Sequence, residues 1–160
     1  VSVNVETKED PPGSAAYAEA AWNLKEAIRA QEGVLKQRRT FFVDAYRRAR
    51  DHLLFEEDEL IGFASVRRDG YILFLAVAPD RRGEGHGKRL VAAALQEHES
   101  ISCHARATNE SALSFYEHLG FDIQRRITGY YEDGGDAYYL RLGDGGSLRE
   151  KFAEFFRRRR

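Results

Sequence analysis

The chain has no methionine, one cysteine, one tryptophan and only three prolines among its 160 residues. One thiol cannot close an internal disulfide, so the core must hold the fold, and the composition suits a reducing, cytoplasmic setting. Position 1 is not methionine, so the initiator is absent or processed. No apolar run approaches the ~20 residues of a transmembrane helix, and no charged-then-apolar leader opens the chain, so no membrane partner is expected. The formal net charge of −1 supplies no bulk field selecting nucleic acid or an anionic surface. There is no internal repeat. The histidines at 52, 86, 98 and 118 lack metal-ligand spacing with cysteines or carboxylates, so no metal is expected.

What is present fits one globular domain. Hydrophobic residues make up 42% and charged residues 32%, and a chain this long buries roughly two-thirds of its unfolded surface. VSVNV at 1–5 alternates like a strand. The loop Asp10-Pro11-Pro12-Gly13-Ser14 leads to a helix over 15–30, with Ser14 as its expected N-cap and Gly33 as its breaker. A second helix is expected over 37–50, with Phe41, Phe42, Ala45 and Tyr46 on one face. Residues 52–56 and 60–68 read as a hairpin, and Asp69-Gly70 turns into a third strand, making 52–78 a three-stranded antiparallel meander. Then come a helix over 85–99, a strand over 100–105, a helix over 109–119 closed by Gly120, and strands over 122–131 and 136–142. A flexible link at 143–146 precedes an amphipathic helix over 147–160. Elements in this order predict a mixed, layered α/β domain.

The most informative stretch is YILFLAVAPDRRGEGHGKRL at 71–90. Tyr71 to Val77 has the apolar, aromatic and β-branched content of a buried strand, and Pro79 ends its ladder. Arg81 to Lys88 then gathers three glycines and four basic side chains, Arg81, Arg82, His86 when protonated, and Lys88. Glycines let backbone approach a ligand, and a helix N-terminus offers unpartnered N–H groups and positive potential, so such a loop suits a phosphate. The spacing excludes two familiar phosphate binders. Gly87-Lys88 is followed by Arg89 and has no glycine five residues earlier, so it is no P-loop, and neither Gly83-x-Gly85 nor Gly85-x-Gly87 completes GxGxxG.

The motif that does match is Arg82-x-x-Gly85-x-Gly87 after a strand ending Val77-Ala78-Pro79. It resembles the pyrophosphate loop of the GNAT superfamily, the Gcn5-related N-acetyltransferases. A second segment, RATNESALSFYEHLGF at 106–121, resembles that family at Asn109, Ala112, Tyr116, Gly120 and Phe121. The closing GYYEDGGDAYYLRL resembles the protein N-terminal acetyltransferases, including the ribosomal-protein-alanine type. The resemblance spans residues 1–143 and implies a GNAT-like mixed, mostly antiparallel sheet flanked by helices on both faces. Residues 144–160 form an appendage outside it.

The resemblance implies acetyl-CoA as cosubstrate, held by Leu75, Ala76 and Val77, by the loop Arg82, Gly83, Glu84, Gly85, His86, Gly87 and Lys88, and by Asn109 and Tyr116. Tyr116 would protonate the departing thiolate. His104 would accept the proton of an α-ammonium, which has no lone pair with which to attack. Reference pKa values near 8 for the amine and 6.5 for histidine permit that relay at neutral pH. Tyr71 would assist His104, while Leu35, Tyr130 and Tyr131 would hold the substrate. As neighbours in a strand, Tyr130 and Tyr131 are expected on opposite faces. Alternation along ISCHAR puts Ser102, His104 and Arg106 on one face and Cys103 on the other, which speaks against Cys103 as an acyl-carrying nucleophile.

The expected reaction is acetyl transfer to a protein N-terminus by direct attack in a ternary complex. A GNAT enzyme for a small amine or a lysine side chain, and a non-catalytic module that senses acetyl-CoA or docks on the ribosome, are the alternatives. Arg157 to Arg160 offers a basic end for ribosome contact, and Phe152, Phe155 and Phe156 leave monomer and homodimer both open.

Overall fold

The computed structural model describes residues 4–143. The expected link and C-terminal helix at 144–160, and positions 1–3 of the expected first strand, lie outside the described residues. The elements are β1 (Val5–Asp10), α1 (Ala18–Glu32), α2 (Arg39–Arg48), β2 (Arg50–Glu56), β3 (Glu59–Val66), β4 (Ile72–Val77), a 3₁₀ turn (Pro79–Arg81), α3 (His86–Gln96), β5 (Ser100–Arg106), α4 (Glu110–His118), β6 (Asp122–Ile127) and β7 (Ala137–Gly143). This is the order read from the sequence. The chain divides into two compact units, one of residues up to Arg68 with Ile72–Ala94, the other of Asp69–Tyr71 with residues from Leu95 onward. No described helix is long and apolar enough to cross a membrane.

The first unit is an antiparallel sheet in the order β1-β2-β3-β4. The expected meander has therefore gained a fourth strand. That strand runs Val5–Asp10, pairing Val5 with Glu56 and Asp10 with Asp51, so it reaches five residues beyond the end of the expected one. Asp10 explains the shift. Its carboxylate is buried and accepts from Tyr46 Oη, from Ser14 Oγ at 2.7 Å and from the Tyr17 N–H at 2.9 Å. Ser14 is thus spent on Asp10 and caps nothing, and α1 starts at Ala18. Gly33 ends that helix in the left-handed region at φ 72°, its N–H returning to the Arg29 carbonyl. Phe42, Ala45 and Tyr46 of α2 are buried against Phe63, Phe74 and Leu53, but Phe41 is 54% exposed and leaves the predicted face. A Cβ on Gly62 would lie 3.4 Å from Leu90 Cδ1, so α3 packs on the sheet face opposite the Phe63 core, and this sheet carries helices on both faces.

The second unit is an antiparallel sheet in the order β5-β7-β6. Its register sets His104 opposite Tyr139 and Arg106 opposite Ala137. An irregularity between Ile123 and Arg125 brings Arg125 opposite Tyr139. Tyr71 precedes β4 and makes an isolated parallel bridge to Ser102. Gly70 permits this approach, because at φ 87° a Cβ there would stand 2.6 Å from the Ser100 carbonyl.

Candidate active site

In the first unit the Gly-rich loop runs where it was expected. Gly83 and Gly85 take φ values of 81° and 87°, and α3 opens at His86 with Gly87 and Lys88 in its first turn. The N-terminal N–H groups of a helix are therefore presented just after two glycines that lower the backbone's steric profile. Strand β4 is an edge strand of its sheet. The Ala78 N–H donates to the Ile61 carbonyl of β3 at 2.8 Å. Backbone groups alternate along an antiparallel strand, so Ala76 also turns to β3 while Leu75 and Val77 direct their N–H and C=O groups outward.

Three loop side chains sit differently from their expected roles. Arg82 is not aimed into the glycine turn. Its Nη1 and Nη2 make a two-point ion pair with Glu32 at 2.6 and 3.0 Å, and its Nε donates to the Val77 carbonyl at 3.2 Å. His86 is buried and its Nε2 lies 3.0 Å from Glu84 Oε1, so it is the partner of a loop carboxylate. That bond, with a second from Arg81, holds the Glu84 carboxyl below its ordinary range. Arg81 points to β2, pairing with Glu56. Leu35 lies between α1 and α2 at φ 56°, packed against the hydrophobic core of this unit.

In the second unit, four of the predicted residues, Tyr71, His104, Tyr130 and Tyr131, converge. Alternation along β5 is as read: Ser102, His104 and Arg106 are half-buried and Cys103 and Ala105 buried. His104 Nδ1 lies 2.6 Å from Tyr71 Oη. The imidazole stacks on Tyr130 with centroids 4.4 Å apart and planes 13° from parallel. Burial lowers the His104 pKa, and the charge of Arg125 lowers it further. Burial, then Tyr130, raises that of Tyr71, so the phenol keeps its proton.

Tyr130 and Tyr131 are not strand residues. Strand β6 stops at Ile127, and both tyrosines lie in the turn that follows. Strand alternation does not govern them, and both rings reach the same cluster, 5.0 Å apart and edge to face. The turn is pinned by carboxylates. Asp136 accepts the Gly129 N–H at 2.9 Å and two Arg126 contacts, while Asp133 accepts Arg106 Nη1 at 3.1 Å and the Gly135 N–H at 3.0 Å. Arg106 in turn lies 4.0 Å from the Tyr131 ring centroid.

On the other face of β5, Tyr116 of α4 is buried beside Cys103. Burial first, then Cys103, keeps the Tyr116 phenol well above its ordinary value. Burial pushes the Cys103 thiol up to about 12, against a smaller opposing pull from Tyr116. It is therefore a neutral thiol at physiological pH, a poor nucleophile as expected. Asn109 has a structural duty: it caps α4, its Oδ1 accepting the Ala112 N–H at 3.1 Å. Sequence reading did not single out Tyr139, whose ring is 5.1 Å from that of His104, nor Arg125, 4.8 Å above Tyr139. Only the β5-β7-β6 register reveals that row; the double tyrosine Tyr138-Tyr139 was the available signal.

The sequence pattern of the Acetyltransferase (GNAT) family matches residues 13–121. Among curated proteins, the chain is 33% identical over 96 residues to N-alpha-acetyltransferase 30 of Schizosaccharomyces pombe, covering 52% of this chain and 64% of that protein. It is 40% identical over 83 residues to N-alpha-acetyltransferase 30 of Saccharomyces cerevisiae, covering 49% of this chain and 47% of that protein. The chain thus spans about half to two-thirds of the length of these relatives. Among solved structures, the fold is similar to the ribosomal-protein-S18-alanine N-acetyltransferase from Escherichia coli, with a TM-score of 0.70 at 21% identity over 86% of this chain and 94% of that one.

Proposed function

Because the chain belongs to the acetyltransferase (GNAT) family, we propose that it transfers acetyl from acetyl-CoA to the α-amine of a protein N-terminus, in a catalytic domain running through residue 143. The observation that carries this reading is the contact of Tyr71 Oη with His104 Nδ1 at 2.6 Å. A neutral imidazole beside a protonated phenol is a relay for the one proton that must leave an α-ammonium before it can attack.

Acetyl-CoA is the cosubstrate. Its pyrophosphate takes the loop Arg82–Lys88 and the first turn of α3, and its amide arm pairs with the outward backbone groups of Leu75 and Val77. The Val77 N–H is the donor for the oxyanion of the tetrahedral intermediate. The amine proton passes to the Tyr71 oxygen as Tyr71 gives its own to His104 Nδ1. The neutral amine attacks the thioester carbonyl, the C–S bond breaks, the Tyr116 hydroxyl protonates the departing thiolate, and the second proton of the attacking nitrogen passes through water to the Tyr116 oxygen, leaving the neutral amide, the CoA thiol and a protonated His104 that releases its proton to solvent. A moderate leaving group such as a thiolate of pKa near 8.5 gains from that donor. Tyr130 and Tyr131 close over the peptide end, and Leu35 walls the side chain of its first residue. The curated relatives bear the name N-alpha-acetyltransferase, and that supports the α-amine over a polyamine or a lysine. A cytoplasmic setting belongs to the same proposal.

The test is CoA release from acetyl-CoA with short peptides differing at residue 1, beside spermidine and an N-blocked peptide with an internal lysine. Turnover with the free α-amine peptides is expected. Turnover with only the polyamine or lysine overturns the substrate, and acetyl-CoA binding without turnover on any of them favours a sensor.

A further inference from the structure

The three strands of the second unit carry a row of side chains of which the reaction scheme uses only the last, His104. Arg125 on β6 faces Tyr139 on β7, which faces His104 on β5. The guanidinium covers the Tyr139 ring at 4.8 Å from its centroid, and that ring lies 5.1 Å from the imidazole at a tilt of 46°. Tyr130 covers the imidazole elsewhere at 4.4 Å. The two adjacent arginines of β6 have different duties. Arg126 is neutralised by Asp136 at 2.8 Å. Among the described residues Arg125 has no carboxylate partner.

We infer that Arg125 is a positioning residue of this site, acting on His104 through the Tyr139 ring that it covers. The inference rests on His104 being the base proposed above. The cation draws the face of Tyr139 toward itself, fixing a wall of the imidazole pocket. Its positive charge opposes a second positive charge on the ring. Of the other groups near His104, Tyr71 keeps its proton through burial, Ser102 is uncharged, and Arg106, two residues along β5, is paired with Asp133; at the neighbouring position of the same face Arg141 on β7 and Asp122 on β6 stand opposite one another, a cation and an anion side by side. A base must be unprotonated when the ammonium arrives, and a nearby uncompensated cation keeps it so at neutral pH. This also accounts for the pairing pattern, because an acid on Arg125 would cancel the effect.

The test reads the histidine itself. The His104 ring signals, assigned by their loss in His104→Gln, are followed by two-dimensional NMR across pH in the wild-type chain, Arg125→Gln and Arg125→Lys. In Arg125→Gln the His104 midpoint should rise by roughly 0.3–0.5 of a pH unit at low salt, a through-space effect of one exposed charge. The rise should shrink at about 0.5 M salt, where the Debye length falls to a few ångströms. Arg125→Lys should restore most of the wild-type midpoint. The acid limb of kcat/KM for a free α-amine peptide should move with it. A His104 midpoint unmoved by Arg125→Gln, or shifted equally by Arg125→Lys, overturns the inference. A moved midpoint in a protein that acetylates no amine leaves the electrostatic role standing and overturns the proposed function instead.

Discussion

Tyr116 and His104 occupy opposite faces of β5, and in the proposed reaction their protonation states divide the work between a proton donor and a proton acceptor. Tyr116 keeps its proton because burial raises its pKa, so it can only donate. His104 stays neutral because burial and Arg125 lower its pKa, so it can accept. Tyr116→Phe should cut kcat by about 10²-fold or more while leaving acetyl-CoA affinity nearly unchanged, as for loss of a proton donor acting in the transition state; steady-state kinetics with calorimetry on the variant checks both. His104→Ala and Tyr71→Phe should each lower kcat, and the double variant should be no worse than the poorer single one, because a relay fails as a unit. A multiplicative loss would contradict the relay. The pH sign follows from His104. With His104 as the proposed base, activity requires the neutral ring, so kcat/KM should fall as pH drops through a midpoint below the ordinary histidine value. The faces of β5 were legible in the sequence because strand alternation is local. Tyr130 and Tyr131 were named from the sequence but expected on opposite faces of a strand, because nothing local shows that β6 ends at Ile127 and that a turn held by Asp133 and Asp136 re-aims both rings.

Among the elements, the glycine loop and the end of α1 are tied by Arg82. Its two bonds to Glu32 hold the guanidinium away from the loop's N–H groups. In the proposed binding mode a pyrophosphate competes with that carboxylate. Glu32→Gln should therefore tighten acetyl-CoA binding by about 2- to 5-fold, the scale of one exposed ion pair, and Arg82→Gln should weaken it. Calorimetric titration decides, and a Glu32→Gln chain that binds more weakly would mean that Glu32 supports the loop rather than competing for it. The glycine motif announced the loop but not this pairing, since residues 32 and 82 meet only in the folded unit. Strand β1 was misplaced for a similar reason. Its position depends on Asp10 meeting Tyr46, which no local pattern encodes.

At the scale of the molecule, the first unit carries a buried acid with consequences for stability. Asp51 is fully buried, its carboxylate oxygens and the adjacent Ser65 hydroxyl make no well-formed hydrogen bond among the described residues, and burial pushes its pKa up to about 9. Ser65 tempers the shift and the charge of nearby Asp10 adds to it. An unfolded aspartate titrates near 3.9, so from about pH 4 to pH 9 the unfolded chain gains by ionising and the folded chain does not. Stability from this group is full at acid pH and lost as pH rises through that window. Asp51→Asn should raise the melting temperature clearly at pH 8 and little at pH 4.5; an equal shift at both would contradict the buried neutral acid.

The central claim is that one amine on one end of a polypeptide receives the acetyl group. The most direct measurement gives the protein acetyl-CoA and a peptide with both a free α-amine and an internal lysine, then locates the added 42 Da ~ one acetyl group by tandem mass spectrometry. The account predicts acetylation at residue 1 alone, lost in Tyr116→Phe. Acetyl on the lysine, or label on residue 1 that persists undiminished in Tyr116→Phe, would contradict it.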